Sequence, residues 1–251
     1  MYKLYRKYDN FLSLCGGRYL KLKHYEHFSM NHLAQKTSQV VTILDRTIGT
    51  PPHDPHLPPL ENLMLTLLSQ NTNDVNRDKA YQSLRQQFPT WKEVMDAETQ
   101  DVAEAIRIAG LANQKSQRMQ DILRWIHRQY GVLNLDALCR MDPQEAINTF
   151  CRLKGIGIKT ISVVLAFSCG VDIFPVDTHV HRLCNRIGLV KPATKSAEQT
   201  FERMQILVPE GQSFSFHLQL IHHGRTICRA RKPLCDVCPL QLLCDYYKEL
   251  S

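Results

Sequence analysis

The chain has 251 residues, with 31 Lys and Arg against 24 Asp and Glu and a formal net charge of +7. This length suffices for one large core or two small ones, and we expect two lobes. The basic balance suits a polyanionic partner, and the lack of any apolar run near ~18 residues excludes a membrane span. Nine cysteines, an odd number with uneven spacing, fit a reducing cytosol better than a disulfide framework.

Residues 1–29 differ in composition from the rest of the chain. They hold seven aromatic residues and six Lys or Arg without a steady helical period. The apolar run Phe11–Cys15 is shorter than the ~7 residues that a secretion signal needs, so we reject export. Two interpretations remain: a basic arm that touches DNA, or an upstream extension with translation starting at Met30. We favour the second, because terminal segments without periodicity seldom fold.

Amphipathic helices follow from Met30 onward. Apolar residues recur at helical spacing on both sides of a proline-rich break over 51–59. These residues are Val40, Ile43, Leu44 and Ile48; Leu60, Leu63, Met64, Leu67 and Leu68; Val102, Ala105, Ile106 and Ala109; and Met119, Ile122, Leu123 and Ile126. Asp142 and Pro143 supply a helix N-cap and a first-turn proline, with Glu145 as a capping glutamate. No strand-length alternation competes, so the sequence predicts an all-α protein of many short helices.

The segment Leu153-Lys-Gly-Ile-Gly-Ile-Lys-Thr160 predicts a glycine hairpin between two helices. Gly155 and Gly157 allow successive backbone N–H groups to point outward at a helix N-terminus, which makes a seat for one phosphate. Lys159 would then lie beside a sugar carbon that it could attack, since amines form Schiff bases with sugar aldehyde carbons. An ammonium cannot attack, and Asp177 is the candidate base that takes its proton. The alternative is that Lys159 is one more phosphate contact.

Four cysteines near the C-terminus predict a metal centre. Their spacing is Cys228-x6-Cys235-x2-Cys238-x5-Cys244, with one short and two longer arcs. A four-cysteine zinc site usually pairs two C-x2-C knuckles, whereas a cubane iron–sulfur cluster tolerates this spacing. We therefore favour iron–sulfur over zinc, and either over four unligated thiols. The remaining cysteines are expected to be small core fillers: Cys15, Cys139, Cys151, Cys169 and Cys184.

Basic residues lie on the first arc of this cysteine segment. Arg229, Arg231 and Lys232 stand between Cys228 and Cys235. A bound metal would fix the arc in a defined loop, so we favour phosphate contact over a solvated basic surface.

These features together make the chain resemble the endonuclease III branch of the helix-hairpin-helix DNA glycosylases, over about residues 33 to 247. The matching motifs follow the family's order: Leu67-Leu-Ser69 leading to Asp74, Gly110-Leu-x-Asn-x-Lys115, the hairpin, Val176-Asp-Thr-His179, His223-Gly-Arg225 and the four cysteines. The resemblance implies two all-helical lobes with DNA across the cleft between them. One is a six-helix barrel at 61–171, and the other is built from 30–60 and 172–251 and holds a 4Fe–4S cluster.

The resemblance also implies a bifunctional glycosylase and AP lyase of base excision repair. It would act as a monomer on duplex DNA that carries damaged bases or abasic sites, in the cytoplasm and associated with the nucleoid. Lys159 would attack the deoxyribose carbon that bears the damaged base, Asp177 would assist, and β-elimination would nick the strand. Leu111 matches the apolar wedge and Asn71 the polar gap-filler that replace a flipped nucleotide. Without the resemblance, Leu111 more commonly closes a helix pair, and His179 is a surface histidine rather than a DNA contact.

The departures from the family concern the substrate. The family typically reads Ser-Ala-Gln-x-Thr-Asp, whereas Ser69-Gln70-Asn71-Thr72-Asn73-Asp74 shifts the amide by one position. Ile158 stands where the family often has a basic residue, and His181 where it often has an apolar one. Oxidised pyrimidines are therefore implied by the family rather than by this pocket. The alternatives are a monofunctional glycosylase for mispaired adenine or thymine, and a non-catalytic, metal-stapled DNA-binding module.

Overall fold

The structure is a computed structural model that describes residues 25–51 and 57–250, with side chains from Met30 onward. All regular secondary structure in these ranges is helical. The α-helices are α1 (Tyr25–Ile48), α2 (Pro59–Leu68), α3 (Asp74–Gln87), α4 (Trp91–Asp96), α5 (Thr99–Ala105), α6 (Ala112–Tyr130), α7 (Pro143–Phe150), α8 (Ile158–Cys169), α9 (Thr178–Ile187), α10 (Ala197–Met204), α11 (Ser213–Thr226) and α12 (Asp245–Leu250). Short 3-10 turns lie at Arg107–Ala109, Asp136–Arg140, Cys235–Val237 and Gln241–Leu243. None of the helices in these ranges is both long and apolar enough to cross a membrane.

The described residues form two compact units. The terminal unit combines those before Asp54 with those from Asp172 onward, and the central unit takes those between Asp54 and Val171. Helices α2 to α8 therefore belong to the central unit, and α1 and α9 to α12 belong to the terminal unit. Helix α1 begins at Tyr25, so it extends into the segment that the sequence set apart. Residues 1–24 and the question of the start at Met30 lie outside the described part of the chain.

The core of the central unit contains α2 packed against α8. The predicted apolar face of α2 is buried, and α8 buries every side chain from Thr160 to Ala166. Asn62 Nδ2 on α2 donates to Ser168 Oγ at 2.9 Å, which ties the C-terminal end of α8 to its neighbour. Helix α8 is thus anchored along its length, so its first turn stands on a rigid element.

The terminal unit is organised around α9 and α11, which pack on each other, with α1 against α11. Phe174 and Phe216 are fully buried and stack with ring centroids 5.4 Å apart. Gln219 Nε2 on α11 donates to Asp45 Oδ1 and to Gly49 O, at 2.7 and 2.8 Å. These bonds hold the end of α1 against α11. The terminal unit therefore combines the segments that precede and follow the central unit in the sequence.

Local sequence sets where the helices begin. Asp142 Oδ1 accepts from the backbone N–H groups of Gln144 and Glu145, and Pro143 opens the first turn of α7, which confirms the predicted cap and proline. Thr90 and Glu93 form a capping box at α4. Residue types that favour helix N-termini therefore cap both helices.

Two cysteines correct the prediction that the isolated thiols fill the core. Cys139 and Cys169 form a disulfide with their Cα atoms 4.8 Å apart, and Cys139 is exposed. The turn Asp136–Arg140 packs against α8, which brings the two residues together across a separation of 30 positions that sequence spacing alone does not reveal. Cys184 is fully buried on α9, as predicted.

Candidate active site and DNA-binding turns

The predicted hairpin joins α7 to α8 in the central unit. Gly155 has φ +96°, a conformation that L side chains rarely adopt, and a Cβ there would lie 2.8 Å from Arg118 Cδ. Ile156 is buried and anchors the turn, while Gly157 is the N-cap of α8. The first N–H groups of a helix have no intrahelical partner, so this end of α8 favours an anion. Lys159, partly exposed, lies in that first turn.

Two further turns of the central unit carry the predicted gap-filling residues. Asn71 follows α2 and Leu111 precedes α6, and both have left-handed backbones, with φ values of 54° and 51°. Asn71 is exposed, and Leu111 exposes 53% of its surface. A leucine is seldom left-handed and seldom so exposed at a turn, and both properties suit a side chain that enters another molecule.

Two polar side chains tie these turns together, and the sequence motifs that contain them assigned neither a role. Gln70 Nε2 donates to Gly155 O at 2.9 Å, which connects the turn after α2 to the hairpin. Lys115 Nζ donates to Leu68 O and Ala109 O, both at 2.8 Å, and burial lowers the pKa of Lys115 to about 8. One feature of the sequence indicates this lysine: it lies four residues before Met119 on the buried face of α6.

Asp177 is the N-cap of α9 in the terminal unit. Its Oδ1 accepts from Val180 N at 2.8 Å, so the carboxylate is held in one orientation at the start of the helix. His179 Nδ1 lies 3.3 Å from Arg182 Nη2, on the first turn of the same helix. The structure thus places Lys159 in the central unit and Asp177 and His179 in the terminal unit.

His181 has a different environment from His179. Its Nδ1 lies 2.7 Å from Thr200 Oγ1, within a polar cluster that also includes Asn185 and Thr194. Asn185 in turn bonds the backbone N–H of Thr194 through Oδ1. His181 therefore packs between α9 and α10, where the family often has an apolar residue.

The cysteine segment, Cys228–Cys244, is held at its first arc by two arginines of α9. Arg182 Nη2 donates to the carbonyls of Gly224 and Cys228, at 2.9 and 3.0 Å. Arg186 donates to the carbonyls of Arg229 and Ala230, at 2.8 and 3.0 Å. Neither arginine was singled out from the sequence. Three of their four bonds reach the backbone of the first arc, and the fourth reaches Gly224 on α11. The arc presents the predicted phosphate-binding residues, and these are exposed: Arg229, Arg231 and Lys232.

The four cysteines of this segment influence one another electrostatically. Burial, followed by Cys244, Cys228 and Cys235, raises the pKa of the Cys238 thiol to about 11. Burial and neighbouring thiols also raise the pKa of Cys235 and of Cys244. Close thiols that resist ionisation are stable as thiolates when a cation compensates their charge, so the donor chemistry fits a metal or cluster. Within the described ranges, however, no group of three or more His, Cys, Asp or Glu side chains is arranged to hold a metal ion.

The described helices thus combine a glycine hairpin, a lysine on the helical turn after it and a segment with four cysteines, a combination that places the chain among base excision DNA repair proteins. The sequence profile of the HhH-GPD superfamily of base excision DNA repair proteins matches residues 64–210. The chain is 34% identical to the endonuclease III of Thermotoga maritima over 190 residues, which cover 76% of this chain and 84% of that protein. It is 30% identical to the endonuclease III of Sulfolobus acidocaldarius over 187 residues, covering 74% and 81% of the two chains. The chain belongs to the endonuclease III family within this superfamily.

Solved structures share the fold. An endonuclease III in a non-covalent DNA complex superposes with a TM-score of 0.74 at 24% identity, covering 86% of this chain and 97% of that one. A thermostable thymine-DNA glycosylase superposes with a TM-score of 0.72 at 23% identity, covering 86% and 98%. The predicted all-α helix-hairpin-helix fold, the family and the class of enzyme, a base excision repair DNA glycosylase and lyase, are confirmed.

Proposed function

We propose that the protein removes damaged pyrimidine bases from duplex DNA and nicks the strand, with Lys159 as nucleophile. The observation that carries this proposal is the position of Lys159 on the first turn of α8, directly after the Gly155 hairpin. A phosphate at that helix end would bring the neighbouring sugar close to the lysine.

The reaction balances with residues of this chain and water. The neutral amine of Lys159 bonds to C1′ as the bond from C1′ to the base breaks, and the base leaves with the electron pair. Once the bound nitrogen has lost a proton, its electron pair breaks the bond from C1′ to O4′, O4′ takes up a proton, and an open-chain iminium forms. The iminium acidifies the adjacent C2′ hydrogen. As that proton leaves, the bond from C3′ to O3′ breaks and the phosphate departs with the electron pair, as the end of the downstream strand. Water then hydrolyses the imine and frees the lysine. Asp177 would accept a proton from the attacking amine and stabilise the positive sugar.

Borohydride trapping tests the proposal, because reduction of the imine links enzyme and DNA permanently. The parent protein should give a covalent complex with abasic-site duplex, and Lys159→Gln should give none. Lys154→Gln is the matched control, since Lys154 is an exposed lysine of the same hairpin and its loss removes the same charge. If Lys159→Gln traps as well as Lys154→Gln, Lys159 is a phosphate contact and the nucleophile lies elsewhere.

The gap left by the flipped nucleotide would be filled by Leu111 and Asn71. Gln70 bonds to the hairpin carbonyl of Gly155, so Asn71 supplies the amide that faces away from the protein. This supports the assignment of Asn71 rather than Gln70 as the polar gap-filler. Comparing excision of thymine glycol, of adenine opposite 8-oxoguanine and of thymine in a G·T pair would separate the proposed substrate from the mismatch alternatives.

The central unit would be the six-helix barrel, and the terminal unit would carry a 4Fe–4S cluster held by Cys228, Cys235, Cys238 and Cys244. Such a cluster supplies cationic iron that compensates four thiolates. The arc with Arg229, Arg231 and Lys232 would then contact phosphates. His179, two residues after the proposed proton acceptor Asp177, would be a further DNA contact. Purified protein that absorbs in the visible blue would support iron–sulfur, and a colourless zinc protein would contradict it.

We place the monomeric enzyme in the cytoplasm, on the nucleoid.

A further inference from the structure

Lys115 is a buried lysine on α6, with only 2% of its surface exposed. Its Nζ donates to Leu68 O and to Ala109 O, both at 2.8 Å. Leu68 is the last residue of α2, and Ala109 is the last residue of the 3-10 turn before Gly110. Carbonyls at the C-terminal end of a helical segment are unsatisfied and carry partial negative charge. One ammonium therefore satisfies the ends of two separate segments.

Each of the two segments that Lys115 binds is followed within three residues by a left-handed, non-glycine residue. Asn71 lies three residues beyond Leu68, and Leu111 lies two residues beyond Ala109, with φ values of 54° and 51°. A left-handed backbone is unfavourable for an L residue and persists where the surrounding structure determines it. Within the described ranges, Lys232 is the one other non-glycine residue with positive φ. Two of the three such residues thus follow the carbonyls that Lys115 binds.

We propose that Lys115 is a positioning residue, which fixes the Leu111 turn against the Asn71 turn at the spacing needed to replace a flipped nucleotide. This inference rests on the proposed glycosylase function. Burial lowers the pKa of Lys115 to about 8, so the folded protein pays a cost to keep this ammonium between the two turns. Lys115 does not touch the reacting atoms in this account: it acts through the two turns.

The test compares two substrates that differ in their need for the wedge. Excision of thymine glycol from a duplex requires that the base leave the stack and that its place be filled, whereas an abasic site in single-stranded DNA requires neither. Lys115→Met keeps the length and apolar stem and removes the ammonium. We expect single-turnover duplex excision to fall about ten- to hundredfold, as for a misplaced positioning group. Borohydride trapping on the single-stranded abasic site should stay within about twofold of the parent.

Gln120→Leu is the matched control. Gln120 lies on the same helix, is fully buried, and donates through Nε2 to Val94 O and Ala97 O, at 3.0 and 2.8 Å. Like Lys115, Gln120 donates to two backbone carbonyls, but these carbonyls lie outside the Asn71 and Leu111 turns. Gln120→Leu should lower the melting temperature as Lys115→Met does, yet keep the ratio of duplex excision to single-strand trapping unchanged.

Each outcome decides between the hypotheses. If Lys115→Met excises from duplex at the parental rate, or loses single-strand trapping to the same degree, Lys115 does not position the turns. Equal loss of duplex excision in Gln120→Leu would also overturn the proposal, because general destabilisation would explain it. If the parent itself neither excises nor traps, the glycosylase function is wrong and the positioning role with it. Should Lys115→Met not fold, Lys115→Gln keeps one donor on a shorter side chain and is measured by the same ratio.

Discussion

The three turns of the central unit and the cysteine segment of the terminal unit are stabilised in different ways. The turns at Asn71, Leu111 and Gly155 are joined by side-chain bonds from Lys115 and Gln70, which lie within the same unit. The cysteine segment contains short 3-10 turns and exposes apolar residues, with Val237 at 69% and Leu242 at 89%. Its first arc is held by Arg182 and Arg186 of α9, which donate to three of its carbonyls.

This difference indicates which region would gain more stability from a bound group. A segment that buries little apolar surface offsets little of the conformational entropy that folding costs. The turns of the central unit are fixed by bonds within the protein, so their geometry is available before DNA binds. The proposed cationic cluster would add stability to the cysteine segment, where burial raises the pKa of three thiols, those of Cys235, Cys238 and Cys244.

The largest expected effect tests Asp177 as a base rather than as a cap. Asp177→Asn retains a side-chain oxygen for Val180 N, and asparagine caps helices as well as aspartate does. We expect duplex excision to fall about 10²- to 10⁴-fold, the usual contribution of a general base, with little change in melting temperature. Single-turnover kinetics and thermal unfolding measure the two quantities.

Asp142→Asn is the control for this substitution. Asp142 caps α7 in the same way, through Oδ1 and two backbone N–H groups, and has no proposed chemical role. Its variant should keep parental activity. If Asp177→Asn is as active as Asp142→Asn, the aspartate is a cap and the proton acceptor must be sought elsewhere.

The next effect concerns the dependence of the cysteine segment on its cluster. Cys238→Ser removes one proposed ligand from a partly buried position, and we expect loss of visible absorbance together with a destabilisation of several kcal/mol. Cys151→Ser, at a cysteine of the central unit with similar exposure and outside the four-cysteine segment, should leave both unchanged. Absorbance spectra and urea unfolding measure the outcome, and equal behaviour of the two variants would show that the segment folds without a metal centre.

A third prediction uses the pKa of Lys115. The folded-state pKa is about 8, below the ordinary value near 10.4, so the unfolded chain holds a proton that the folded protein has lost between these two pH values. Stability of the parent should therefore rise with pH across this window relative to Lys115→Met. The difference between the two pKa values corresponds to a gain in stability of about 3 kcal/mol. This is an upper limit, because the bonds to two carbonyls favour the charged lysine in the folded protein. Urea unfolding at pH 7, 8.5 and 10 measures it, and parallel curves for the two proteins would contradict it.

The sequence predicted the features that depend on local pattern. The apolar face of α2, the cap at Asp142 and the glycine hairpin each depend on residues close in sequence, and each is present. The disulfide between Cys139 and Cys169 and the role of Gln70 depend on which segments pack together, and local pattern does not fix that. Lys115 is intermediate: its place on an apolar face is visible in the sequence, but the two carbonyls it meets are not.

The smallest expected effect separates backbone strain from function at the hairpin. Gly155→Ala places a Cβ 2.8 Å from Arg118 Cδ, so that side chain or the turn must move. Its φ of +96° also strains an alanine, at a cost of about 1 to 2 kcal/mol. Gly131→Ala is the control, because Gly131 has φ +73° at the end of α6 with no atom within 4 Å of the added Cβ. Both variants should lose stability from strain, while Gly155→Ala alone should weaken binding to abasic-site duplex in a fluorescence titration. Equal affinities of the Gly155→Ala and Gly131→Ala variants for this duplex would mean that the hairpin does not hold a phosphate. The geometry of the central turns would then not be a preformed DNA-binding site, which is what separates them from the cysteine segment.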